Sequence, residues 1–226
     1  MCIRDSYYAV NKPTGVLSTN RDPAGRMRVV DLVPPDTRLF TVGRLDKASE
    51  GLMLVTNDGD LANRLAHPRY GVEKVYRVTV VGCPSPETLK KLRRGVHIAE
   101  GVVRAKRLRI KTRNKRTTIL EMVLTEGRNR EIRRMAASVG HKVTSLQRIG
   151  IGPLRLAEMP PGAYRPLTPG ELRRLKSLVD GSGTTGRRKP RSARSAGGRR
   201  PLNGKQRSTS RTQAAGKKKP RRSTRA

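Results

Sequence analysis

At 226 residues the chain has room for one large domain or two small ones, and its 51 Lys and Arg against 17 Asp and Glu give a formal net charge of +34. A field of that size draws phosphate backbones. It points to nucleic acid before a membrane surface, because no amphipathic stripe rich in Trp, Phe or Leu accompanies it and no stretch reads as a bilayer span or a secretory signal. The isolated His67, His97 and His141 and the two distant cysteines, Cys2 and Cys83, lack metal-binding spacing, so the expectations are a metal-free protein in a reducing cytoplasm.

In chain order, Met1–Ser6 fits no element and reads as a leader foreign to the fold or the trace of a truncated reading frame. Tyr7–Val10 predicts a strand that runs into the turn Asn11-Lys12-Pro13-Thr14-Gly15. Val16–Arg28 reads as a polar loop with several basic residues, placed to close on RNA, and Val29–Val33 as a short helix stopped by Pro34-Pro35. Leu39–Val42 and Leu52–Val55 are short apolar runs with the look of buried strands. Between them, bracketed by Gly43 and Gly51, lies a polar loop that carries Arg44 and Asp46. A carboxylate on a loop held by core strands is well placed for catalysis, although a loop aspartate more often pairs with a neighbour or caps a turn.

Asn57-Asp58-Gly59-Asp60 opens a short amphipathic helix through Leu61 and Leu65 that ends near His67-Pro68. Glu73–Val81 alternates as a half-buried strand should, with Tyr76, Val78 and Val80 on one face and Val75, Arg77 and Thr79 on the other. Pro86–Arg94 predicts a helix with Ser85 as its cap. Val102–Lys111 and Thr117–Thr125 predict antiparallel strands joined by a basic turn at Arg113–Arg116. A helix over Arg130–Val139 follows, with Ile132, Met135, Ala136 and Val139 buried and Gly140 as its stop. Arg128, Arg130, Arg133 and Arg134 crowd its first turns, where positive charge opposes the helix dipole, so a phosphate or carboxylate site explains them better than helix stability does. Lys142–Gly152 and Gly162–Leu167 predict two more strands, and Thr168-Pro169-Gly170-Glu171 has capping-box spacing ahead of a terminal helix.

Strands outnumber helices and several neighbours pair antiparallel, which argues an α+β fold with a mixed or antiparallel sheet. From Gly181 onward there are sixteen Lys or Arg and no Asp or Glu, in a setting of Gly, Ser, Thr and Pro. Such a segment has too little to bury to offset the entropy of ordering, and the expectation is a disordered basic tail over 181–226 after a folded body over 7–180. The body keeps +18 without the tail, so the folded part itself is expected to meet nucleic acid.

Three motifs together resemble the pseudouridine synthases of the RsuA/RluB type. They are Asn11-Lys12-Pro13-Thr14-Gly15, Gly43-Arg44-Leu45-Asp46 running on through Ser49-Glu50-Gly51-Leu52-Met53-Leu54-Val55-Thr56-Asn57-Asp58-Gly59, and Leu124–Met135. Most members carry threonine where this chain has Ser49, a change that keeps the hydroxyl. The resemblance implies the pseudouridine synthase fold, a central sheet flanked by helices. It implies an isomerase that converts a uridine of ribosomal RNA, from the third motif that of the large subunit, to pseudouridine without a cofactor. It implies Asp46 as the catalytic group, Tyr76 against the base, Arg133 as the direct partner of Asp46 with Arg44 in support, and Ile132 lining the pocket. Lys12, Arg128, Arg130 and Arg134 are the expected RNA-binding residues, and a monomer the expected state. Members of this branch usually begin with a small RNA-binding domain of the S4 type; here the first strand starts within ten residues, so either the chain is a fragment or the tail substitutes for that module. The competing reading is a non-catalytic ribosomal RNA-binding or assembly protein in which Asp46 is structural.

Overall fold

The computed structural model describes residues 5–35 and 38–182, with the side chain of Ser182 excepted; the expectations for Met1–Arg4 and for the tail beyond Ser182 lie outside the described residues. The strands and helices, in order, are β1 Tyr7–Lys12, β2 Phe40–Thr41, β3 Glu50–Thr56, α1 Gly59–Ala66, β4 Lys74–Val81, α2 Pro86–Arg94, β5 Val96–Ile98, β6 Gly101–Val103, β7 Arg107–Arg113, β8 Thr117–Leu124, α3 Glu131–Ala137, β9 Val143–Ile151, β10 Leu154–Arg155, β11 Tyr164–Pro166 and α4 Pro169–Ser182. Val29–Leu32 forms a single 3-10 turn where a short helix was expected.

One nine-stranded sheet organises these elements, in the order β11-β1-β3-β9-β4-β8-β7, with β2 paired to β3 and β10 to β9; β5 and β6 form a separate hairpin. β3 and β9 run parallel, and the neighbouring pairs β1–β3, β4–β9 and β4–β8 are antiparallel, so the sheet is mixed. β3 is buried on both faces, which explains its unbroken apolar run. Met53 and Val55 join the core on one side, with Ile132 and Met135 of α3; Leu52 and Leu54 join the other, with Leu61 of α1 and Leu175 of α4. All four β3 side chains are fully buried, and each contributes at most about 1.5–3 kcal/mol through burial.

The alternation read in β4 is present, with Lys74, Tyr76, Val78 and Val80 buried between more exposed residues. The capping box of α4 closes in both directions: Thr168 Oγ1 accepts the Glu171 N–H at 3.2 Å and a Glu171 carboxylate oxygen accepts the Thr168 N–H at 2.9 Å. Two expectations need correction. The strand expected over Val102–Lys111 is split, because the Ala105 N–H leaves the ladder to donate to Leu92 O at 2.9 Å; β6 belongs to its own hairpin and only β7 pairs β8. The helix expected over Arg130–Val139 is shorter. Arg130 precedes it in the left-handed region (φ 47°, ψ 30°), and the chain turns after Ala137 before Gly140 takes φ +83°.

Gly51 positions the central loop. It lies beside Arg148 of β9 with φ +109°, and a Cβ there would sit 2.3 Å from the Arg148 carbonyl oxygen. Only glycine permits β3 and β9 to approach this closely.

Candidate active site

The loop that carries Asp46 has a property no sequence pattern announces: five consecutive carbonyls from Leu45 to Ser49 each accept a hydrogen bond. Leu45 O accepts from Ser18 Oγ at 2.9 Å, Asp46 O from Ser49 N at 3.0 Å and Lys47 O from Gly15 N at 2.8 Å. Ala48 O accepts from Arg133 Nη2 at 3.1 Å and Ser49 O from Lys12 Nζ at 2.6 Å. Loops usually leave such groups to water and move accordingly. Here donors from three separate parts of the chain fix the backbone on both sides of Asp46, which is the preorganisation a reacting group requires.

Asp46 opens into a small cleft of about 70 Å³. Tyr76 and Ile132 form part of its apolar wall, Arg44, Arg128 and Arg130 its basic rim. Tyr76 is 8% exposed and belongs to the apolar core, yet it borders the cleft and its hydroxyl bonds to no described residue. It is therefore both a core aromatic and a ring available to a base. The expected residues Arg44, Asp46, Tyr76, Arg128, Arg130 and Ile132 thus meet at one place.

The others stand apart. Arg130 is the ion-pair partner of Asp46, Nη1 to Oδ2 at 3.6 Å, where Arg133 was expected. Arg130 precedes the first turn of α3 and its side chain leaves at the cleft mouth. Arg133, one turn further on, packs behind the loop and donates to Ala48 O and to Val143 O, each at 3.1 Å. Burial, with the repulsion of Arg130, lowers the proton affinity of Arg133, and the charge of Asp46 opposes that. Arg133 thus acts on Asp46 through the loop and through its field.

Lys12, expected on the RNA surface, has no exposure at all and is spent on the carbonyls of Pro13 (2.9 Å) and Ser49. A fully buried ammonium cannot reach a phosphate. Burial pushes it down to about 8, against the pull of Asp46 and Glu50. Arg128 pairs with Glu126 at 2.9 Å and also donates to Glu100 O; Arg134 pairs with Glu100. Both are largely neutralised within the protein, and Arg134 lies outside the cleft. Two of the three histidines serve locally: His67 Nδ1 accepts the Arg69 N–H at 3.1 Å, and His141 Nδ1 bonds to Val81 O at 2.9 Å.

Three buried ionic residues were missed. Lys74 shares the inward face of β4 with Tyr76, and strand parity alone could have placed it there. Burial, with the repulsion of Arg148, pushes its ammonium down to about 8, while Glu131 opposes. Glu131 lines the cleft, accepts the Arg128 N–H at 3.0 Å, and is held above the usual carboxylate range by burial. Arg148, 2% exposed, donates to Leu52 O at 2.7 Å and to Met53 Sδ at 2.8 Å, bracing β9 against β3. Its place in the alternation of β9, between Leu146 and Gly150 on the buried face, was the available signal.

A carboxylate on a clamped loop, sharing a cleft with an aromatic ring and a basic rim on a mixed sheet, defines an enzyme site built for a nucleotide unit of a polyanion. Residues 6–138 match the RNA pseudouridylate synthase family, and the chain belongs to that family. It is an isomerase that acts on RNA. An uncharacterized RNA pseudouridine synthase of Aquifex aeolicus (strain VF5) is 41% identical over 178 residues, which cover 78% of this chain and 72% of that one. The ribosomal large subunit pseudouridine synthase B of Bacillus subtilis (strain 168) is 40% identical over 179 residues, covering 77% and 72%. A crystal structure of a pseudouridylate synthase superposes with a TM-score of 0.67 at 28% identity, over 76% of this chain and 74% of that one. No helix among the described residues is long and apolar enough to cross a membrane.

Proposed function

We propose that the substrate is a uridine of large-subunit ribosomal RNA, that Asp46 is the reacting group, and that no cofactor takes part. The observation that carries this reading is the five-carbonyl clamp, which fixes the backbone around Asp46 at a cleft that Tyr76 also lines, with Arg130 as the ion-pair partner of its carboxylate. The similarity to a synthase of the ribosomal large subunit supports the choice of RNA.

In the reaction the C1′–N1 bond breaks, the uracil turns over, C1′ bonds to C5, and the C5 proton leaves as N1 gains one. Nothing is oxidised or reduced. A carboxylate opens this sequence by adding to C1′ or to the base, or by taking a ribose proton, and in each route it divides one hard step into easier ones. Arg130 balances charge at Asp46, Tyr76 stacks on the detached uracil, and Ile132 closes the wall behind it. The base leaves its stack to enter, an unstacking cost of about a few kcal/mol that contacts of the basic rim with the RNA backbone offset. Arg44 makes such a contact from the rim, Arg128 being matched by Glu126; Arg133 and Lys12 hold the loop. Residues 7–180 form the catalytic unit, acting as a monomer.

The test incubates the protein with transcripts of large- and small-subunit ribosomal RNA in the presence of a chelator and maps pseudouridine chemically. Conversion of a discrete uridine in the large-subunit transcript is expected. Conversion confined to the small-subunit transcript would overturn the substrate, and loss of conversion on chelation would overturn the cofactor-free mechanism.

A further inference from the structure

Beside the Asp46 cleft opens a second and larger one, about 460 Å³, between the end of α3 and the start of β9. Arg130, Arg133, His141 and Lys142 line it, together with small or apolar residues and no carboxylate. Arg130 borders both clefts, so they are neighbours at this residue. Its backbone is left-handed, a conformation costing about 1–2 kcal/mol for a residue with a Cβ. Strain kept at a junction of two clefts points to a use for the side chain placed there.

The ion pairs of the surface sharpen the contrast. On the β7 side of the sheet several cations have acid partners: Lys106 and Arg107 share Glu73, and Lys111 pairs with Glu121. Along α3, Arg128 is matched with Glu126 and Arg134 with Glu100. In the second cleft Lys142 is exposed and makes no ion pair among the described residues, while Arg130 meets Asp46 only at 3.6 Å. Unmatched cations are the ones that release counterions when a phosphate arrives.

We propose that this second cleft is a subsite for the RNA backbone, in which Arg130 and Lys142 hold the phosphodiester next to the target uridine while its base occupies the Asp46 cleft. The proposal rests on the reading of Asp46 as the reacting group, because that reading places the target nucleotide. Base contacts would not be needed here: the subsite positions the strand and leaves sequence choice to other contacts.

The test measures binding of the full chain to a fragment of large-subunit ribosomal RNA across a salt series, for wild type, Lys142→Ala, Lys142→Arg and Lys111→Ala. Lys142→Ala is expected to weaken binding several-fold and to lower the slope of log affinity against log salt by about 1, as loss of one phosphate contact should. Lys142→Arg should restore the slope, and Lys111→Ala, whose charge is matched one to one by Glu121, should leave it unchanged. A neutral methylphosphonate is then scanned along the fragment. Placed next to the modified uridine, it should abolish the difference between wild type and Lys142→Ala, and at other positions it should preserve that difference. An unchanged slope for Lys142→Ala, an equal loss with Lys111→Ala, or a methylphosphonate effect far from the modified uridine would overturn the subsite. The salt series reads binding alone, so failure of the wild type to modify the fragment would count against the proposed reaction and leave the phosphate contact independently readable.

Discussion

Lys12 and Lys142 carry the same charge and are put to opposite uses. Lys12 is sealed beneath the Asp46 loop and gives its protons to two carbonyls, as Arg133 and Arg148 do to the backbone nearby. Lys142 stands in solvent without a matching acid among the described residues. The inner cations set the geometry of the reacting group, and the outer ones recruit and place the polyanion. Net charge measures the sum of the two and distinguishes neither.

The largest expected effect lies at the inner frame itself. Gly51→Ala would drive a Cβ into the Arg148 backbone at a φ that L-residues avoid, and should cost more than about 3 kcal/mol of stability, seen as a collapse of the urea midpoint. A loss below about 1 kcal/mol would mean that β3 and β9 do not need this approach. Next, Lys12→Met leaves the buried Ser49 carbonyl and the part-buried Pro13 carbonyl without their donor, a loss of about 1–3 kcal/mol for the buried one that is partly offset by removing a desolvated charge. It should slow the single-turnover rate and leave the salt slope of RNA binding untouched. A slope reduced by about 1 would instead make Lys12 a phosphate contact.

A smaller and graded signal should come from pH. The Lys74 ammonium sits near 8 in the folded chain and at its ordinary 10.5 when unfolded, so between these values the unfolded state binds more protons and stability rises with pH. Urea titrations at pH 7.5 and pH 10 should show wild type gaining on Lys74→Met at the higher pH; a wild type that gains nothing, or loses ground, relative to Lys74→Met would contradict the buried, charged Lys74. Least of all, Lys111→Ala removes an exposed pair with Glu121 and should shift stability by less than about 0.5 kcal/mol. A shift above 1 kcal/mol would erase the distinction between framing and surface cations.

Much of the fold was legible because it rests on local signals. Period-two alternation gave β4, Ser85 and Pro86 gave the start of α2, and Thr168 with Glu171 gave the start of α4. The split between β6 and β7 was not legible, since it depends on a hydrogen bond from Ala105 to Leu92 of another element. At the site, motif and composition brought Asp46, Tyr76, Ile132 and the arginines together, but could not tell which guanidinium would stand nearest. That choice follows from where α3 begins and from the left-handed turn at Arg130. The burial of Lys12 was hidden for a related reason: a lysine in a turn looks like surface until the strands that enclose it are known.

The central claim is that the clamped carboxylate performs the chemistry. Asp46→Asn keeps the size of the side chain and the hydrogen bonds of the loop backbone, and changes little else. With RNA at saturating protein in a single turnover, the account predicts that Asp46→Asn binds the large-subunit fragment about as tightly as wild type and forms no pseudouridine. Conversion by Asp46→Asn at the wild-type rate would contradict it.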